Sequence, residues 1–98
     1  MASMMELLPR QQLADDTALR IWAMAALERK QITRSQWREL VAAFTPRLPV
    51  TLSLLQRTPK GVLYVYRHDA ETARLTVYYL NHRAKWIKNS PLINGHGT

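Results

Sequence analysis

PVTLSLLQRTPKGVLYVYRHD, residues 49–69, decides the fold. Between residue 17 and Pro46 the apolar residues recur with a helical period; from Pro49 onward they recur at every second position. Val50, Leu52 and Leu54 alternate with Thr51 and Ser53, the pattern of a half-buried strand. Thr58-Pro59-Lys60-Gly61 reads as a turn, in which proline presets φ and glycine is free to take a positive φ. Residues 62–68 and 74–80 are rich in β-branched and aromatic side chains and make two further strands. Asp69-Ala70-Glu71-Thr72 is the loop between them. The stretch thus predicts a three-stranded antiparallel meander.

Turn length sets which side chains share a face. A three-residue Pro-Lys-Gly loop closed by a glycine bulge pairs Thr58 with Val62 and puts Leu54 opposite Tyr66. A four-residue loop at 69–72 puts His68 opposite Ala73 and Tyr66 opposite Leu75. In this register Val50, Leu52, Leu54, Tyr64, Tyr66, Leu75, Val77 and Tyr79 form the core face, while Leu63, Val65, Tyr78 and Leu80 point away from it. Arg67 and Arg74 then face each other, which calls for a carboxylate such as Glu71, or a bound anion, between them. A slip of one residue at either turn exchanges the two faces.

Two helices precede the meander. Asp15-Asp16-Thr17 supplies capping oxygens and acids for a helix over residues 17–29, with Ala18, Ile21, Trp22, Ala25 and Ala26 as its apolar stripe. Gln31-Ile32 breaks the pattern, and Thr33 with Gln36 has capping-box spacing. Trp37, Leu40, Val41 and Phe44 then recur at i, i+3, i+4 and i+7 until Pro46 forces a stop. Helices joined by so short a link pack as a hairpin or an angled pair. Residues 1–14 show no clean period and Pro9 interrupts them, so they read as a flexible arm. The expectation is a single α+β domain over residues 15–90, two helices on a three-stranded sheet, with a short basic extension and a disordered tail at 91–98.

Composition supports a globular chain: 98 residues, 47% hydrophobic and 21% charged, too short for two independent cores. The absence of cysteine excludes disulfides, thiolate metal sites and cysteine nucleophiles, and is compatible with a reducing cytoplasm, where the protein is expected. The apolar stretch near residues 21–27 is far shorter than the ~20 residues that span a bilayer. Glu6 precedes the first cation, Arg10, which argues against a secretory signal.

The net charge is +7, and it is lopsided. Residues 1–39 are nearly balanced, whereas residues 40–98 set Arg47, Arg57, Lys60, Arg67, Arg74, Arg83, Lys85 and Lys88 against only Asp69 and Glu71. Such a field favours an anionic partner. Arg57, Arg67, Arg74, Arg83, Lys85 and Lys88 are the candidate nucleic-acid contacts, releasing counterions from phosphates while Trp86 or Tyr78 stacks on bases. The stretch NHRAKWIKN, residues 81–89, reads as a basic edge pinned by Trp86, either strand or helix. The competing class is an inhibitor or adaptor that sets an exposed apolar and aromatic sheet face on an acidic protein. An open sheet face also permits a two-fold homodimer.

Catalytic signatures are missing. The chain has no Gly-rich phosphate loop, no His-x-x-x-His pair and no Cys/His metal spacing, so no enzyme activity, cofactor or metal is expected. Residues 17–44 allow a helix-turn-helix in which Arg34, Gln36 and Arg38 open the second helix, although its turn lacks a glycine. The succession VLYVYRHD, RLTVYYL and NHRAKW resembles the end of small basic toxins of the RelE/ParE superfamily, over about thirty residues. It departs from that pattern at Asn81, where the family has glycine, and in showing no obvious strand before the helices. The resemblance implies Arg67, His82 and Arg83 as contacts to RNA or another target.

Overall fold

A computed structural model describes residues 3–58 and 61–87. The chain runs β1 (Ser3–Leu13), α1 (Asp16–Glu28), α2 (Arg34–Phe44), a 3-10 turn (Thr45–Arg47), β2 (Val50–Thr58), β3 (Val62–Asp69) and β4 (Arg74–Leu80). The strands form one antiparallel sheet in the order β1-β2-β3-β4, with the helical pair on one face. The α+β class holds, with four strands instead of three. The fourth is β1, formed by the residues read from sequence as an arm. Its pairing with β2 shifts register between Glu6 and Leu8 and again between Leu8 and Gln11. These irregularities bury Leu7 and Leu8 together and accommodate Pro9, which erases the period of two. An edge strand tolerates both, because one side of its ladder makes no pairs.

α1 begins one residue earlier than expected, with the Asp15 carboxylate accepting from Ala18 N–H at 2.9 Å. Its buried stripe is Leu19, Trp22, Ala23 and Ala26, turned from the expected one, so Ile21 is 66% exposed. The helix ends in a Schellman pair, Lys30 N–H to Leu27 C=O and Gln31 N–H to Ala26 C=O. Lys30 occupies the left-handed position there, at φ 59°. The predicted capping box opens α2: Thr33 Oγ accepts from Gln36 N–H at 3.0 Å, and Gln36 Oε1 accepts from Thr33 N–H at 2.9 Å. The buried Gln36 amide nitrogen then donates to Asn81 C=O at 2.9 Å and Gly61 C=O at 3.5 Å. One side chain thus ties α2 to the start of β3 and the end of β4, which lie side by side.

The meander is present with a different register. Arg57 pairs with Val62 and Leu54 with Val65, one residue away from the expected match, because the connection is one residue longer than a Pro-Lys-Gly loop. The faces of β3 and β4 are therefore exchanged. Leu63, Val65, Tyr78 and Leu80 join Leu52 and Leu54 in the core with Phe44 and Leu40. Tyr64, Tyr66, Leu75, Val77 and Tyr79 lie on the opposite face. The physical reason is visible in β3 itself. Leu63 and Val65 bury with no polar atom to satisfy, while each tyrosine keeps a hydroxyl that prefers water or a partner. At the second turn Asp69 pairs with Arg74 and Arg67 with Thr76, so the two arginines do not face each other. The Asp69 carboxylate caps that turn, accepting from Glu71 N–H at 3.1 Å and Thr72 N–H at 3.3 Å.

After β4 the chain is neither strand nor helix. Asn81 Oδ1 accepts from Arg83 N–H and Lys85 N–H, Ala84 takes φ 62°, and Trp86 bridges back to Leu80. Trp86 is half-buried with its ring edge-on to Phe44 and Tyr78, so it pins the segment as expected. Residues 91–98 lie outside the described part.

Candidate nucleic-acid interface

Strand pairing arranges the uncovered face of the sheet as a grid. Glu6, Leu55, Tyr64 and Tyr79 form one row; Ser53, Tyr66 and Val77 the next; Gln12, Thr51, His68 and Leu75 the last. Tyr64 and Tyr79 meet edge to face, with ring centroids 5.0 Å apart. Partial burial and the neighbouring Tyr79 and Tyr64 raise the Tyr66 phenol above its ordinary pKa, so all the more firmly it stays neutral.

Beside the tyrosines, Arg10 reaches over from the irregular part of β1. Its guanidinium lies 3.0 Å from His68 Nδ1, and His68 Nε2 lies 2.9 Å from Ser53 Oγ. Arginine only donates, so Nδ1 must accept and the neutral ring carries its proton on Nε2. The His68–Ser53 bond therefore runs from imidazole to hydroxyl. That polarity is the reverse of a general base poised on a serine nucleophile, so the arrangement is a positioning network. Desolvation first, then the Arg10 charge, lowers the His68 pKa and keeps the ring neutral.

The sequence-predicted cations separate into two groups. Arg67 and Arg74 lie toward the β3–β4 turn, and Arg83 and Lys85 lie exposed in the turn after β4. The length of β4, about 20 Å at ~3.3 Å per residue, stands between the groups. Arg67 is on the helix-covered side, its guanidinium 5.9 Å from the centre of the Tyr78 ring. With Arg47, Gln12, Asp69 and Glu71 it lines a cavity of about 450 Å³. Arg74 is exposed and lines a second cavity, about 510 Å³, with Arg10, His68, Asp69 and Leu75. The Arg57 side chain and Lys88 lie outside the described part. Among the described residues the one ion pair is Arg20 with Asp16, at 3.7 Å. Glu71 neutralises neither Arg67 nor Arg74.

Other expected contacts fall differently. Tyr78 is buried against Phe44 at 5.4 Å and has no face to offer a base. Gln36 is consumed by its internal bonds, which removes it from a helix-turn-helix reading, although Arg34 and Arg38 are exposed. β1 supplies the strand before the helices that was not obvious in sequence. His82 and Arg83 are adjacent, but Arg67 is at least ~13 Å of strand away, so the three positions implied by the RelE/ParE resemblance do not meet.

Sequence reasoning missed Arg10, His68, Ser53 and the tyrosine face. The available signal was the contrast in β3 between the aliphatic pair Leu63 and Val65 and the tyrosine pair beside it. Among the described residues no cluster of His, Asp and Glu could hold a metal, and no helix is long and apolar enough to cross a membrane. Comparison of the chain with family models, curated proteins and solved structures finds no match.

Proposed function

We propose that the protein is a small nucleic-acid-binding protein whose contact surface is the open sheet face together with the cations at the two ends of β4. The observation that carries this reading is the set of uncompensated cations. Arg67, Arg74, Arg83 and Lys85 have no carboxylate within ion-pair distance among the described residues. Four of the seven acids, Asp15, Asp16, Glu28 and Glu39, belong to the helical layer or its cap. Phosphates would replace solvent around these cationic groups, and the release of condensed counterions would drive binding.

The test is anisotropy of a labelled oligonucleotide titrated with the protein at about 50–200 mM salt, where log affinity should fall linearly with log salt. Absence of both binding and slope across that range removes the reading. The exposure of Leu75, 55%, beside Val77 favours a second reading, an adaptor that docks an acidic protein on the same face. That reading gains if acidic polypeptides bind and oligonucleotides do not.

A further inference from the structure

We propose that the ligand is single-stranded nucleic acid, with bases on Tyr64, Tyr66 and Tyr79 and a backbone phosphate at Arg10 and Arg74. This narrows the reading above and rests on it. The shape of the face comes first. Four strands at ~4.8 Å spacing set the outer strands about 14 Å apart before side chains are added, wider than the ~12 Å major groove. Duplex DNA also hides the base faces that aromatic rings would contact, whereas a single strand can splay them outward.

Ring placement follows the same logic. Tyr64 and Tyr66 are next neighbours on one side of β3, about 7 Å apart along the strand. Stacked nucleotides rise ~3.4 Å along a strand, so bases seated on both rings would have to be unstacked from each other. Tyr64 and Tyr79 stand at 87° to one another, so a single base lying on one ring meets the edge of the other.

The charges at the turn-side rim of the face give the chain a path. Arg10 uses one nitrogen on His68 and retains further N–H donors for an oxyanion. Arg74, exposed at the first position of β4, lines the same cavity from the rim of the sheet, and the one carboxylate there, Asp69, is occupied at Oδ1 by two backbone N–H groups. Glu6 sits at the opposite corner, in the row of Tyr64 and Tyr79, where it repels phosphate. The backbone therefore passes on the His68 side, with its bases turned in toward the tyrosines.

The experiment uses the full chain and labelled oligomers of about 20 nucleotides, oligo-dT, oligo-rU and a mixed-sequence duplex, at about 100 mM salt. At least one single strand should bind about tenfold or more tightly than duplex, and the dT and rU arms decide between DNA and RNA. Tyr66→Leu and Tyr79→Leu should each weaken that binding roughly 5- to 100-fold, while Tyr66→Phe keeps it, as expected for ring stacking. Arg10→Gln should weaken binding and flatten the salt slope by about 0.7, one phosphate on a single strand. Thermal melts of each variant separate lost contacts from lost fold. Duplex binding as tight as single-strand binding, or leucine variants that fold and bind normally, overturns this proposal and leaves the nucleic-acid reading standing. Failure of all three oligomers to bind overturns both.

Discussion

Along β3 two environments alternate residue by residue. Leu63 and Val65 face the helices with no exposed surface, while Tyr64, Tyr66 and His68 on the other side stay half-buried among Leu55, Ser53 and Thr51. Along β3 the covered side excludes water and uses aliphatic side chains; the open side keeps polar atoms at every aromatic position. The difference teaches that chemical type, as well as hydrophobicity, assigns a side. A tyrosine and a leucine score alike in a period-two pattern, yet only the leucine can be sealed without providing for a hydroxyl.

Substitutions should break that contrast in graded steps. Phe44→Ala empties a fully buried site in contact with Tyr78 and Trp86 and should cost about 3–5 kcal/mol by urea denaturation, against less than ~0.5 for Leu75→Ala on the open face. Gln36→Leu should cost about 1–3 kcal/mol, because the Asn81 carbonyl loses its buried donor. Lys30→Gly works in the other direction. Relief of the left-handed backbone should stabilise the protein by up to ~1 kcal/mol, read as a raised Tm, without touching either face.

The smallest effect is a pH dependence on the open face. The folded His68 pKa lies below its ordinary 6.5, so the unfolded chain takes up that proton first. The associated stability is complete above about pH 6.5 and is lost as pH falls through the lower folded value. The difference in Tm between the native chain and His68→Gln should narrow over that window and stay constant above it. A difference that is flat throughout would mean that burial and the Arg10 charge do not hold the ring neutral.

Much of this architecture can be read from the residues. The capping box at Thr33 and Gln36, the stop at Pro46 and the bounds of β4 follow from local chemistry. The register does not, because it depends on whether the Thr58–Gly61 connection spends three or four residues, and a single residue exchanges the faces of two strands. β1 is hidden for another reason: its offsets bury neighbours Leu7 and Leu8, a pattern with no single period. For the candidate site, the sequence names the cations and cannot place them. Arg67 and Arg74 share a side of the sheet yet differ in exposure, and Arg10 reaches His68 across 58 residues of chain.

The two borders of the sheet also differ in what they leave available. Beyond β4 the returning segment donates Ile87 N–H to Tyr79 C=O and bridges Trp86 to Leu80, so that border is partly occupied by the chain itself. β1 has no such cover among the described residues, and a straight, fully bonded edge there would be a template for a strand of another molecule. Pro9 removes one donor from it, and the two register shifts bend it away from the flat geometry that a second sheet would need. The irregularity that obscures β1 in the sequence thus acts as a guard against edge-to-edge aggregation.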